Sequence, residues 1–152
     1  SYDDKPFCNI ATDDLGLESE EEKKETEAKQ AEDKELLDFV KETLGEQVAS
    51  VRLSNKLVSS AVCLSTEGGV TLEMERYFRS MPGAPTDIRA VRVLELNANH
   101  HAYQTMKEAF TAGDKDKAAR IAKILHAQAL LIAGLPIENP SAYTDLLCSL
   151  WK

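Results

Sequence analysis

Between residues 20 and 34 the chain has almost no large apolar side chain, and beyond that stretch such side chains recur at regular spacing. Residues 19–45 read as one helix. Ser19 and Glu22 fit a capping box, and Gly45 suits the position just past a helix end. Glu and Lys at three- and four-residue spacing support the first half only weakly, as a solvated helix. Leu36, Leu37, Val40 and Leu44 form one stripe in the second half, which should dock on a core. Ala49, Val51 and Leu53 then alternate with Ser50, Arg52 and Ser54, the period of a strand. Residues 61–64 predict a second strand, broken by Thr66-Glu67-Gly68-Gly69. Residues 70–81 predict a helix that stops at Pro82, followed by a loop over 82–85. Residues 89–96 predict a third strand.

The remainder is helical. A helix over 100–112 carries Tyr103, Met106 and Phe110 on one side and stops at Gly113. Asp114 can cap a helix over 115–133 that Gly134 closes. Asn139-Pro140 is a cap followed by proline at the first helical position, and the last helix runs to about Trp151. The fold class is α+β: a small three-stranded sheet packed with helices, followed by a C-terminal helical hairpin. Residues 5–10 could add a strand whose partners lie elsewhere.

Charge divides the chain. Of its 152 residues 26 are acidic and 18 basic, a net of −8. Residues 1–46 hold 16 of the acids and 6 of the bases, whereas 47–152 are close to neutral. Such a split separates a solvated leader (1–18) and a charged connecting helix (19–46) from a folded unit (47–152) long enough to bury a core. There is no run of about 18 apolar residues to span a membrane, and no secretory signal opens the chain. The absence of a dense basic stripe disfavours nucleic acid as a partner. Cys8, Cys63 and Cys148 have no metal-site spacing and no sign of an oxidising compartment, so the expected location is cytoplasmic. A first residue of Ser1 rather than methionine points to a fragment or a processed chain.

Two apolar surfaces invite a functional reading. Tyr143, Leu146, Leu147, Leu150 and Trp151 share one side of the last helix. Ile121, Ile124, Leu125, Leu131 and Ile132 form a broad stripe on the helix before it. Two helices joined by so short a loop cover only one face of each other. The surplus is either core against the sheet or the contact with a second copy. On residues 70–81, Val70, Met74, Tyr77, Phe78 and Met81 share a face, with Glu73, Glu75, Arg76 and Arg79 on the other side. That face is either packed on the sheet or an exposed, adaptable grip, a role that methionine and aromatics suit. His100, His101 and His126 lack the spacing of a metal site. No nucleophile motif or phosphate loop occurs. An α+β ligand-binding or enzymatic domain with an unrecognised site is the alternative.

Five segments, in order, resemble one family. They are Val51-Arg52-Leu53-Ser54-Asn55-Lys56-Leu57, Thr71 with Met74-Glu75-Arg76, Leu94-Glu95-Leu96-Asn97-Ala98-Asn99-His100, Gln128-Ala129-Leu130-Leu131, and Ile137-Glu138-Asn139-Pro140. Together they are similar to the C-terminal domain of the ninety-kilodalton heat-shock chaperones, in its bacterial form, across residues 34–151. Asp4-Lys5-Pro6-Phe7 looks like the strand that closes that family's middle domain. The resemblance implies a homodimerisation module whose last two helices form a four-helix bundle with a partner's. The interface would fall on Ile124, Leu125, Leu131, Ile132, Leu146, Leu147, Leu150 and Trp151. It also implies that Val70, Met74, Tyr77, Phe78 and Met81 contact unfolded client proteins. ATP and magnesium would belong to an N-terminal domain outside this chain, leaving no cofactor or catalytic residue here. Ala98 stands where the family usually has proline, which loosens the start of helix 100–112. The chain ends without the acidic tail that docks tetratricopeptide cochaperones.

Overall fold

The computed structural model describes residues 20–83 and 88–151. The 5–10 segment and the Ser19 cap lie outside these residues. The elements in order are α1 (Glu20–Glu32), α2 (Lys34–Leu44), a 3₁₀ turn (Gly45–Gln47), β1 (Ser50–Leu53), β2 (Val62–Glu67), α3 (Leu72–Ser80), β3 (Val91–Leu96), α4 (His101–Thr111), α5 (Lys115–Ile132) and α6 (Pro140–Ser149). The α+β expectation holds: a three-stranded mixed sheet is packed with helices and followed by a helical hairpin.

The single helix expected over 19–45 is bent at Asp33, whose backbone leaves helical geometry at φ −93°, ψ 13°. Hydrogen bonds still cross the bend, from Asp33 N–H to Lys29 O and from Leu37 N–H to Asp33 O. The cause is a side-chain contact with a distant helix, which a helical pattern read locally does not contain. Gly45 ends α2 at φ +58°, a conformation other residues adopt at a cost.

The strand order is β1-β3-β2, with β1 parallel and β2 antiparallel to β3. Strand β2 runs through Thr66 and Glu67, where a break was expected. These residues pair with Arg92 and Val91, and the turn comes at Gly68 instead. Central β3 is almost wholly buried from Val93 to Leu96, as a strand covered on both faces should be.

One core joins the layers. It contains Leu36, Leu37, Val40 and Leu44 of α2, Leu53, Val62 and Leu64 of the outer strands, Leu94 and Leu96 of β3, and Tyr103 and Met106 of α4. The stripe on α2 therefore docks as its spacing predicts. Helix α5 lies at the centre of this core and packs on α2, α4, α6 and β2. Ala118, Ala122 and Ala129 are buried, and their small size lets neighbouring backbones approach. Helix α6 has no fully buried residue.

Candidate interaction surfaces

Helix α3 starts at Thr71, whose hydroxyl accepts a 3.2 Å hydrogen bond from the Met74 N–H. Val70 therefore precedes the helix. On α3 the single buried side chain is Glu75, with 0% exposure, although its charge places it on the solvent side in the sequence pattern. Tyr77 is 61% exposed and Met74 42%, with Met81 similarly open. Val70 and Phe78 are half-buried. The Tyr77 and Phe78 rings meet edge-on at 6.0 Å. The helix thus turns a carboxylate inward and most of its apolar face outward.

Three donors account for that inversion. Glu75 Oε2 accepts from the Ala90 N–H at 3.0 Å, and Oε1 lies 2.6 Å from Arg92 Nη2 and 3.0 Å from Arg79 Nη2. Burial pushes the Glu75 carboxyl up, but the Ala90 N–H and the two guanidinium groups outweigh it and hold it below the ordinary carboxylate range. Spacing alone did not reveal this group. The usable hints were the four-residue interval to Arg79 and an arginine inside an apolar strand.

Glu95 of β3 shows the same pattern at the other side of the sheet. It accepts from Arg52 Nη2 at 2.5 Å and from Ser65 Oγ at 2.8 Å. Burial raises its pKa, and the Arg52 and Ser65 hydrogen bonds more than reverse that. The neighbouring Cys63 thiol is pushed up by burial and by Glu95, against the pull of Arg52.

On the hairpin the eight predicted interface residues divide. Ile124 and Leu125 are buried within the single chain, and Leu125 belongs to the core. Leu146 and Leu147 are half-buried between α6 and its surroundings. Leu131, Ile132 and Leu150 are exposed, Ile132 to 65%, and Trp151 stands 88% in solvent. So large an exposed indole is uncommon, because tryptophan is highly buried on average. Asn139 Oδ1 caps α6 by accepting from the Ala142 N–H at 3.0 Å.

The two surfaces are linked at the end of α5. Arg76 Nη1 of α3 donates to the Ala133 carbonyl at 3.4 Å, and its guanidinium lies over Gly134. His126 is buried in α5, with no hydrogen-bond partner for Nε2 among the described residues. Burial, with Arg92 nearby, holds the His126 pKa below its ordinary value, and Glu138 opposes only in part.

His100 Nδ1 accepts from the Ala102 N–H at 3.1 Å and so caps α4. Among the described residues no three His, Cys, Asp or Glu side chains gather as a metal site would require. No described helix is long and apolar enough to cross a membrane.

A family model described as "Hsp90 protein" matches residues 1–152. The chaperone protein HtpG of Bacillus velezensis is 42% identical over 148 residues, which cover 97% of this chain and 23% of that protein. HtpG of Bacillus subtilis is 39% identical over 148 residues, again 97% of this chain and 23% of the relative. HtpG of Clostridium perfringens strain 13 is 43% identical over 153 residues, 100% of this chain and 24% of the relative. The chain therefore spans less than a quarter of the length of these curated relatives.

Proposed function

This chain belongs to the Hsp90 protein family, and we propose that it is the part of an HtpG-type chaperone that joins two copies of the protein and offers α3 to unfolded clients. The observation that carries the first half is the exposure of Leu131, Ile132, Leu150 and Trp151 along one hairpin, beside half-buried Leu146 and Leu147. Apolar area of this kind near a chain's own helix pair is what a two-fold interface covers, since the same patch on each copy meets itself. In this reading a pair of such hairpins forms a four-helix bundle. It buries about 1,200–2,000 Å² in total, the standard size of a stable interface. Ile124 and Leu125 support it from within the chain, and the six outer residues make the contact.

The exposed Met74, Tyr77 and Met81 support the second half. Flexible thioethers and a phenol ring adapt to many apolar partners, which suits clients of no fixed sequence. Joining two copies places whatever precedes residue 20 in each at high effective concentration. In the same reading the charged α1 connects to a preceding domain, and ATP is handled elsewhere in a cytoplasmic protein. This chain itself then works without catalysis or cofactor.

Light scattering of the purified chain at micromolar concentration should give twice the mass of 16.8 kDa. A monomer mass there overturns the interface. Replacing Met74 and Tyr77 together with Ser should leave the melting temperature nearly unchanged and weaken the holding of an unfolded client. Unchanged holding overturns the client role of α3.

A further inference from the structure

Helix α3 carries its inward charged position and an apolar stripe about one residue's offset apart around its axis. Successive residues of a helix are offset by about 100°. Leu72 and Glu75 share the inward side at i and i+3, Leu72 partly packed on the core and Glu75 buried. Met74 and Phe78 share a neighbouring stripe at i and i+4, and Met81 follows the helix as its extended cap residue. A roll of roughly one residue's offset exchanges the two stripes. The hydrophobic effect alone favours the apolar stripe inward. The structure has the opposite arrangement, with a carboxylate inside and Met74, Tyr77 and Met81 outside.

We propose that Glu75 is the positioning residue of this surface: its pairing with Arg92 and with the Ala90 N–H holds α3 with the Met74–Tyr77–Met81 side in solvent, and loss of that pairing lets the helix roll to bury it. The inference rests on the reading of α3 as a client-contacting helix, and it states what keeps that helix presented. Arg92 lies on central β3, so the anchor is attached to the strand that both outer strands hold by hydrogen bonds. Buried charge confines a helix well, because each alternative orientation must either hydrate the carboxylate or leave Arg92 unpaired. Thr71 caps one end of α3, and Arg76 ties its middle to the Ala133 carbonyl at 3.4 Å, a long contact that the roll exchanges for water.

The test reads orientation directly. In the full chain with Cys8, Cys63 and Cys148 changed to Ser, a cysteine is introduced either by Met74→Cys or, as a control, by Ser80→Cys. Its labelling rate with a soluble maleimide is then measured. Glu75→Gln keeps an oxygen for the Ala90 N–H and removes the charge, and Arg92→Met removes the partner from the other side. Each should slow labelling at position 74 by about fivefold or more while leaving position 80 unchanged, as a shifted two-state equilibrium requires. Unchanged rates at both positions overturn the proposal. Faster rates at both also overturn it, because they show a loosened helix for which Glu75 is merely structural. The double Met74→Ser, Tyr77→Ser variant separates this from the reading beneath it. If that variant still holds clients normally, the client role fails whatever Glu75 does. If it loses holding while Glu75→Gln leaves labelling untouched, only the positioning role fails.

Discussion

The hydroxyl of Tyr103 on α4 donates a 2.7 Å hydrogen bond to Asp33 Oδ2, from a position 70 residues further along the chain. Lys107 Nζ, one turn away on the same helix, lies 2.7 Å from the other carboxylate oxygen. These contacts hold Asp33 at the point where the long N-terminal helix is interrupted between α1 and α2. Burial and the adjacent Asp33 keep the Tyr103 phenol protonated well above its ordinary range, so the donor is present at every working pH. Tyr103→Phe removes one hydrogen bond to a charged group and should cost about 1.5–3 kcal/mol in urea unfolding. Amide exchange in α1 should rise with it, because its anchor to α4 is weakened.

Two stages of acid destabilisation are expected. His126 is held below its ordinary pKa, so the unfolded chain binds its proton first. Stability is complete above the unfolded value of 6.5 and falls as pH drops from there toward the folded value. Glu75 and Glu95 are also depressed. Their contribution is complete above the unfolded carboxylate value of 4.5 and is lost as pH falls through their lower folded values. Melting followed by circular dichroism from neutral to acid pH should show both declines. His126→Phe should remove the first and leave the second. A variant that still shows the first decline, starting from 6.5, assigns it to another group.

Leu125 and Leu150 should behave oppositely. Leu125 is core, so Leu125→Ala should destabilise the chain by about 2–5 kcal/mol. Leu150 is exposed beyond α6, so Leu150→Asp should keep the circular dichroism spectrum and lower the mass in light scattering to that of one chain. A Leu150→Asp variant that remains dimeric moves the interface off this end of the hairpin.

Gly134 occupies φ +68°, and a Cβ there would lie 3.3 Å from the Arg76 guanidinium. Gly134→Ala should therefore cost about 1 kcal/mol from the backbone alone. It should also displace Arg76 from the Ala133 carbonyl. Thermal unfolding measures the cost, and comparison with Arg76→Met separates the strain from the lost contact.

Local chemistry made the element order legible. The stripe Leu36-Leu37-Val40-Leu44, the cap at Asn139 with Pro140 and the stop at Gly113 each act within a turn or two of chain, so reading neighbours suffices. The end of β2 was less legible, because Thr66 and Glu67 are extended by pairing with Arg92 and Val91 rather than by their own preference. On the hairpin, periodicity identified the apolar residues of α5 but not which of them α2, α4 and β2 had already covered. Ile124 and Leu125 fell inside, whereas Leu131 and Ile132 did not.

The sequence by itself determined an α+β chain with a charged leading helix, an apolar stripe on each later helix and membership of a recognisable family. Tertiary structure alone decided the direction each stripe faces. Periodicity defines faces only relative to one another. The inward choice on α3 is made by Glu75 meeting Arg92 and Ala90, and the bend at Asp33 by Tyr103 and Lys107. Both depend on charges that are costly to bury until partners from distant parts of the chain arrive to pair them.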